Sequence, residues 1–309
     1  MAAVTVRQNS TTVRKPLALR LLSVRLAVGS WLAPRSTLTR AFQLFCTPMP
    51  GARTRARQAD TGGARVGELV FGRERLTTYT WGDPTRQPAV LLAHGWSSFG
   101  LHFLPWVEPL RRAGYAVVTF DQPAHGRSSG RRATLPMFAD AIARVGEHVG
   151  PLAAVVGHSL GGAGTAIAMA RGLQAERVIL LAPAADPFDA ARRFGGMVGL
   201  AQFLSRRLFD EYQELTAHDV GDLHAHATAP RIGRPGLIVH DLEDTDVPWC
   251  EGERYARYWP QATLLSTTGL GHHRVAIAPE TLDASLRFLR GDPVGQRVVS
   301  THALPFGLC

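Results

Sequence analysis

The chain has 309 residues, 34 basic and 25 acidic, with a formal net charge of +9 and a hydrophobic fraction of 45%. These values suit one large globular domain or two small ones, and they exclude a disordered chain, a collagen-like repeat and a coiled coil. The charge is segregated: residues 1–59 carry ten basic residues and no Asp or Glu. The rest of the chain is close to neutral, without the basic excess that nucleic-acid binding requires.

Residues 16–33, PLALRLLSVRLAVGSWLA, are apolar but broken by Arg20 and Arg25. They fit neither an uninterrupted spanning helix nor the apolar region of a secretory signal. Their basic, acid-free composition also resembles a transit peptide. Residues 36–45 predict a short helix capped by Ser36, with Leu38, Phe42 and Phe45 on one face. Three readings stay open for this segment. It is a helical arm packed on the body, an interfacial anchor turning its arginines to anionic lipid, or, over its first dozen residues, a poorly ordered extension. Residues 50–64 carry Pro, Gly and charge without an apolar period and read as a linker. The expected organisation is an arm and linker over 1–64, a main domain over 65–292 and a tail over 293–309.

From residue 66 the pattern changes. VGELVF (66–71) and RLTTYTW (75–81) read as a hairpin, and PAVLLAH (88–94) as a strand buried on both faces. A helix over about 102–113 leads to the strand YAVVTFD (115–121). A helix over 134–149, opened by Thr134 and Pro136, leads to LAAVVGH (152–158). LGGAGTAIAMARG (160–172) reads as a helix of small residues, and RVILLAP (177–183) as the next strand. Residues 188–229 are too long and too helical for a loop, so they read as a helical insertion. RPGLIVHD (234–241) and ATLLSTT (262–268) are the last strands, and PETLDASLRFLR (279–290) is the last helix. Strands alternating with helices predict an α/β fold with a mostly parallel sheet covered on both faces. Cys46, Cys250 and Cys309 form no metal or redox pair; each reads as a buried or incidental thiol, which favours a reducing, cytoplasmic setting.

The chemistry concentrates where strands end. Gly157-His158-Ser159-Leu160-Gly161 is G-x-S-x-G at a strand-to-helix turn. There a serine is held on strained backbone with its hydroxyl exposed, and flanking glycines keep the turn clear. A serine nucleophile needs a base and an acid that orients the base, in the order Ser, acid, His. Four acids compete after the strand at 234–241: Asp241, Glu243, Asp244 and Asp246. After the last strand, His272 directly follows Gly271 and is preferred to His273.

This combination resembles the α/β-hydrolase family over about residues 66–290. The resemblance implies that Asp244 in Asp244-Thr245-Asp246-Val247-Pro248 is the acid, leaving Asp246 to cap the loop. It implies that His272 is the base. It places an oxyanion hole at the backbone N–H groups of Trp96, in His94-Gly95-Trp96, and Leu160, with His94 shaping the loop. Asp121-Gln122-Pro123-Ala124-His125-Gly126-Arg127-Ser128 resembles the family's D-x-P-G-H-G-x-S turn, with Ala124 in place of a glycine, and reads as structural. Trp96 is expected either in an acyl pocket or in the core. The insertion at 188–229 stands where the family carries a cap, and its Phe188, Phe194, Met197, Leu200, Phe203, Leu204 and Leu208 could line an apolar site or pack into the core.

The expected activity is that of a serine hydrolase cleaving a carboxylic ester or thioester through an acyl-enzyme on Ser159. No cofactor and no metal are expected; His218, His224 and His226 are too loosely spaced for a zinc site. The expected partner is a small-molecule acyl substrate, with no nucleic acid, and the basic N-terminal segment allows peripheral membrane contact. Two other readings stay open: a non-catalytic hydrolase-fold protein that binds a small hydrophobic ligand, and an acyltransferase or amidase using the same three residues.

Overall fold

The computed structural model describes residues 17–49, 51–208 and 220–298. Eight strands form one sheet: β1 (Arg65–Phe71), β2 (Glu74–Trp81), β3 (Ala89–Ala93), β4 (Ala116–Phe120), β5 (Leu152–His158), β6 (Ala175–Leu181), β7 (Gly236–Asp241) and β8 (Ala262–Thr267). Their spatial order is β1-β2-β4-β3-β5-β6-β7-β8. The β1–β2 and β2–β4 pairs are antiparallel and all the others parallel. Each strand read from the sequence is present, with ends shifted by one or two residues.

The continuous apolar runs are continuous because both faces of the sheet are covered. Along β3, Leu91 and Ala93 join one core while Val90 and Leu92 join the other. Along β5, Val155 faces the first core, and Ala154 and Val156 the second. The first core is closed by α1 (Leu17–Leu32), α2 (Pro34–Phe45), α5 (Leu135–Val149), α6 (Leu160–Ala170) and α10 (Trp249–Tyr258). The second is closed by α4 (Leu104–Arg112) and α12 (Pro279–Arg290). Thr134 caps α5, its Oγ1 accepting from Met137 N at 3.4 Å.

The insertion holds α7 (Pro187–Val198), a helical stretch α8 (202–208), a single turn at Val220–Leu223 and α9 (Ala225–Thr228). Leu200, Leu204 and Leu208 are buried, whereas Phe188 and Phe203 stand exposed. The short α11 (Gly271–Arg274) follows β8.

The N-terminal region differs from its reading at two points. Residues 50–64 were expected to be a linker, yet Ala52–Gln58 form a helix, α3, docked through buried Ala52 and Ala56. Arg127 fastens its end, Nε donating to Ala56 O at 3.1 Å and Nη2 to Ala59 O at 2.9 Å. Ser36 was expected to cap α2, but the helix begins two residues earlier, at Pro34. Proline suits a first helical position because its missing N–H is not needed there. Leu38 and Phe42 are buried, as that face requires.

Of the cysteines, Cys46 is a free buried thiol, and burial pushes its pKa up to about 12. Cys250 is disulfide-bonded, contrary to its reading as an incidental thiol. In the tail, Gln296 pairs with Leu264 of β8 through two 2.8 Å backbone bonds, while residues 299–309 lie outside the described residues. No helix among the described residues is long and apolar enough to cross a membrane.

Candidate active site

The chain leaves β3 toward one side of the sheet, to β4, and leaves β5 toward the other, to β6. Such a reversal opens a crevice at the carboxyl ends of the strands. The loops after β3, β5, β7 and β8 meet there.

Ser159 sits between β5 and α6 at φ 54°, ψ −122°. A non-glycine residue in that region costs about 1–3 kcal/mol and is held only where the surroundings impose it. Here Ser159 N donates to Leu181 O at 2.9 Å, and Ser159 O accepts from Gly162 N and Ala163 N in the first turn of α6. The flanking glycines meet a steric need. A Cβ on Gly157 would run into Gly161 O and Thr165, and one on Gly161 would run into the backbone of Ala93 and His94.

His272 lies on α11 and is buried. Its Nε2 accepts from the Ser159 hydroxyl at 2.9 Å, and its Nδ1–H donates to Asp244 Oδ2 at 2.7 Å. Asp244 Oδ1 accepts from the N–H groups of Asp246 and Val247, both at 2.9 Å. Burial disfavours its charge, but hydrogen bonds from His240, His272 and Val247 outweigh that and hold the carboxyl well below the usual carboxylate range. An ionised Asp244 requires Nδ1 of His272 to carry the proton, which leaves Nε2 free to accept.

The four competing acids separate clearly. Asp241 is fully buried and caps the two loops, its Oδ1 accepting from Glu243 N at 3.0 Å and its Oδ2 from Leu270 N at 3.0 Å. Asp246, expected to cap the loop, is exposed and faces His273 at 3.4 Å, so the capping falls to Asp241 and Asp244. Glu243 is exposed.

Two histidines act as props that the motifs did not announce. His240 on β7 is fully buried; its Nε2–H is shared between Val247 O at 2.9 Å and Asp244 Oδ2 at 3.3 Å. His158, the variable position of G-x-S-x-G, donates through Nε2 to His272 O at 2.9 Å. Burial drives its pKa well below 6.5, so it ties down the backbone of the His272 turn as a neutral ring. A buried histidine with a backbone acceptor leaves no spacing signature in a sequence.

Trp96 and Leu160 flank Ser159 at the same opening, and their backbone N–H groups make no hydrogen bond among the described residues. Gly95 lets the loop close on the serine, because a Cβ there would sit 2.9 Å from Ser159 Cβ. His94 shapes this loop: Nδ1–H donates to Gly95 O at 2.7 Å and Nε2 accepts from Gln122 N at 2.9 Å. The neighbouring turn is structural. Asp121 accepts from Gly100 N, Arg127 N and the Tyr79 hydroxyl at 2.7–2.8 Å. Ala124, where the resemblance calls for glycine, adopts φ 65°.

Ser159 opens into a cavity of about 400 Å³ with an almost wholly apolar lining. Trp96 lines it, as do Phe194 and Met197 of the insertion. One whole wall was missed by the sequence reading: Leu44, Phe45, Cys46, Thr47 and Met49, at the end of the N-terminal arm. Phe45 meets Phe194 with ring centroids 5.1 Å apart, and Met49 N donates to Ser97 Oγ at 2.9 Å, pinning the arm beside Trp96. Arg193 at the cavity edge pairs with the fully buried Glu251 at 2.6 Å, which fixes α7 to α10. The rings of His224 and His226 lie 5.3 Å apart, tilted by 44°, His218 lies outside the described residues, and no group of three metal-ligating side chains occurs among the described residues.

The family model described as the alpha/beta hydrolase family matches residues 90–298. A stretch of 137 residues is 37% identical to the dihydrolipoyllysine-residue acetyltransferase component of the acetoin cleaving system of Cupriavidus necator. That match takes in 43% of this chain and 36% of that protein, so the chain spans about a third of that curated relative's length. Among solved structures, a membrane phospholipase A described as a bacterial virulence factor superposes with a TM-score of 0.59 at 18% identity, over 89% of this chain and 97% of that one. A monoacylglycerol lipase of Paleococcus ferrophilus superposes with a TM-score of 0.55 at 21% identity, over 70% of this chain and 98% of that one.

Proposed function

The chain belongs to the alpha/beta hydrolase family, and on that premise we propose that it is a serine hydrolase of carboxylic esters, thioesters included, working through an acyl-enzyme on Ser159. The observation that carries this reading is the line Ser159–His272–Asp244, with separations of 2.9 and 2.7 Å, opening into an apolar cavity.

The steps follow from the hydrogen-bond directions. Ser159 Oγ attacks the acyl carbon as its proton passes to His272 Nε2. Asp244 holds the Nδ1–H tautomer and stabilises the imidazolium. The oxyanion is held by the N–H groups of Trp96 and Leu160, donors whose individual removal in such holes costs about 100- to 1000-fold in rate. The imidazolium returns its proton to the departing alcohol or thiol, leaving the acyl group esterified to Ser159. Water then attacks that ester, His272 takes its proton, and the acid leaves as Ser159 is restored. The apolar cavity favours an acyl chain over a charged group.

A second reading, acyl transfer to an alcohol or thiol in place of water, is favoured by the local match to an acetyltransferase component. Hydrolysis of p-nitrophenyl esters from acetate to octanoate, with and without an added alcohol, separates the two. Hydrolytic turnover that is lost in Ser159→Ala is the expected result. Unimpaired turnover in that variant overturns the nucleophile, and product found mainly as a new ester favours the second reading.

A further inference from the structure

Helix α1 has apolar residues on both sides, but only one side is covered. Leu26 and Ser30 are buried against the body, and Ser30 Oγ accepts from Ala201 N at 3.2 Å. On the opposite side, Leu17, Leu21, Val24, Val28 and Trp31 follow at intervals of four, three, four and three residues. That spacing places them in one stripe along the helix. They face solvent, with Leu17 72%, Val24 61% and Trp31 76% exposed. Trp31 meets the exposed Phe203 of α8 at 5.3 Å, which widens the patch.

The charges around the stripe are of one sign. At 100° per residue, Arg20 and Arg25 fall on its two flanks. Arg35 and Arg40 of α2 are also exposed. None of these four arginines has an ion pair among the described residues, and residues 1–59 contain no acid at all. We infer that this face of α1 docks in the plane of an anionic phospholipid surface, its apolar stripe entering the boundary below the headgroups and Arg20 and Arg25 pairing with phosphates.

Length and charge favour that occupant. The 16 residues of α1 rise about 24 Å, short of the ~30 Å hydrocarbon layer, and both arginines would fall inside it were the helix to span. A second copy of the chain would bring the same arginines against each other, whereas an anionic lipid surface neutralises them. Met197 is 44% exposed and also lines the Ser159 cavity, as the neighbouring helix α7 packs against α1. The docked surface therefore lies beside the element that walls the cavity. The inference does not depend on Ser159 being reactive.

The test is sedimentation of the full chain with vesicles of phosphatidylcholine alone or mixed with phosphatidylglycerol. The wild type is expected to bind the anionic vesicles and to be released as the Debye length shrinks from about 10 Å to about 3 Å with added salt. Arg20→Gln and Arg25→Gln are each expected to weaken binding about fivefold. The triple variant Leu21→Ser, Val28→Ser, Trp31→Ser is expected to weaken it roughly a hundredfold. Its thermal unfolding midpoint is expected to stay within a few degrees of the wild type, since all three side chains are more than half exposed. Equal binding to both vesicle types, or unchanged binding by the triple variant, overturns the inference. A wild-type dimer that the triple variant loses, without vesicle binding, would assign the stripe to a second copy instead.

Discussion

Ser159, Asp244 and His272 are each fixed by hydrogen bonds of 2.7–2.9 Å made within loops that leave the sheet. Leu44, Phe45, Phe194 and Met197, which wall the cavity above them, are placed by packing, from segments that flank the sheet rather than belong to it. The two regions obey different rules. On the proposed function Ser159, Asp244 and His272 must be held in one geometry, and their placement rests on strained backbone, glycines and polar contacts. Room for a substrate needs only volume and apolarity, which many side chains supply. The first region should therefore fail sharply on single substitutions, and the second should shift by degrees.

The largest effect is expected at the strand ends. Ser159→Ala should lower ester turnover by about a millionfold with the fold intact by circular dichroism. Asp244→Asn should cost about 10⁴-fold, because an amide in that place favours the wrong imidazole tautomer; steady-state kcat reads it.

Acid separates the regions differently. Burial lowers the pKa of His125 to about 4 and holds His94 and His158 well below 6.5, so all three fold as neutral rings. An unfolded chain takes up those protons near pH 6.5, so the stability they contribute is complete above that pH and is lost as pH falls toward 4. His125 alone accounts for about 3 kcal/mol. Residues 17–49 contain no His, Asp or Glu, so the arm brings no group of its own that titrates in this window. Urea midpoints between pH 7 and pH 4 should fall for the whole chain, and a His125→Asn variant that keeps its stability at pH 4 should flatten the slope.

The smallest effects are expected in the wall. Phe45→Ala should raise the kcat/KM ratio of octanoyl over butyryl ester about tenfold, while kcat for the short ester stays within about threefold. Phe194→Ala should act in the same direction. Because the two rings touch, the double variant should depart from additivity by about 1 kcal/mol.

The difference between the regions also explains what the sequence disclosed. Gly157, Gly161 and Gly271 announce tight backbone, and buried strands announce where the loops begin, so the succession of strands and helices and the candidates Ser159 and His272 could be read residue by residue. The resemblance to the family selected Asp244; spacing alone left Asp241, Glu243 and Asp246 in contention, and the capping role given to Asp246 belongs to its neighbours. The wall was illegible because Leu44, Phe45 and Met49 lie more than a hundred residues from Ser159 and look like any apolar helix end. Helix α3 was hidden for a related reason: it docks on two alanines four residues apart, and alanine carries little hydrophobic signal. His158 supports the site through one backbone carbonyl, and His240 through one carbonyl and the Asp244 carboxylate, roles that no residue type or interval marks.

The central claim is that Ser159 is an activated nucleophile facing the arm-walled cavity. The most direct measurement is peptide mass spectrometry of the full chain after reaction with an alkyl fluorophosphonate. A single adduct on Ser159, absent from Ser159→Ala and at least about a hundredfold slower to form in His272→Ala, is the expected result. A folded wild type that stays unlabelled, or an adduct on another residue, would contradict it.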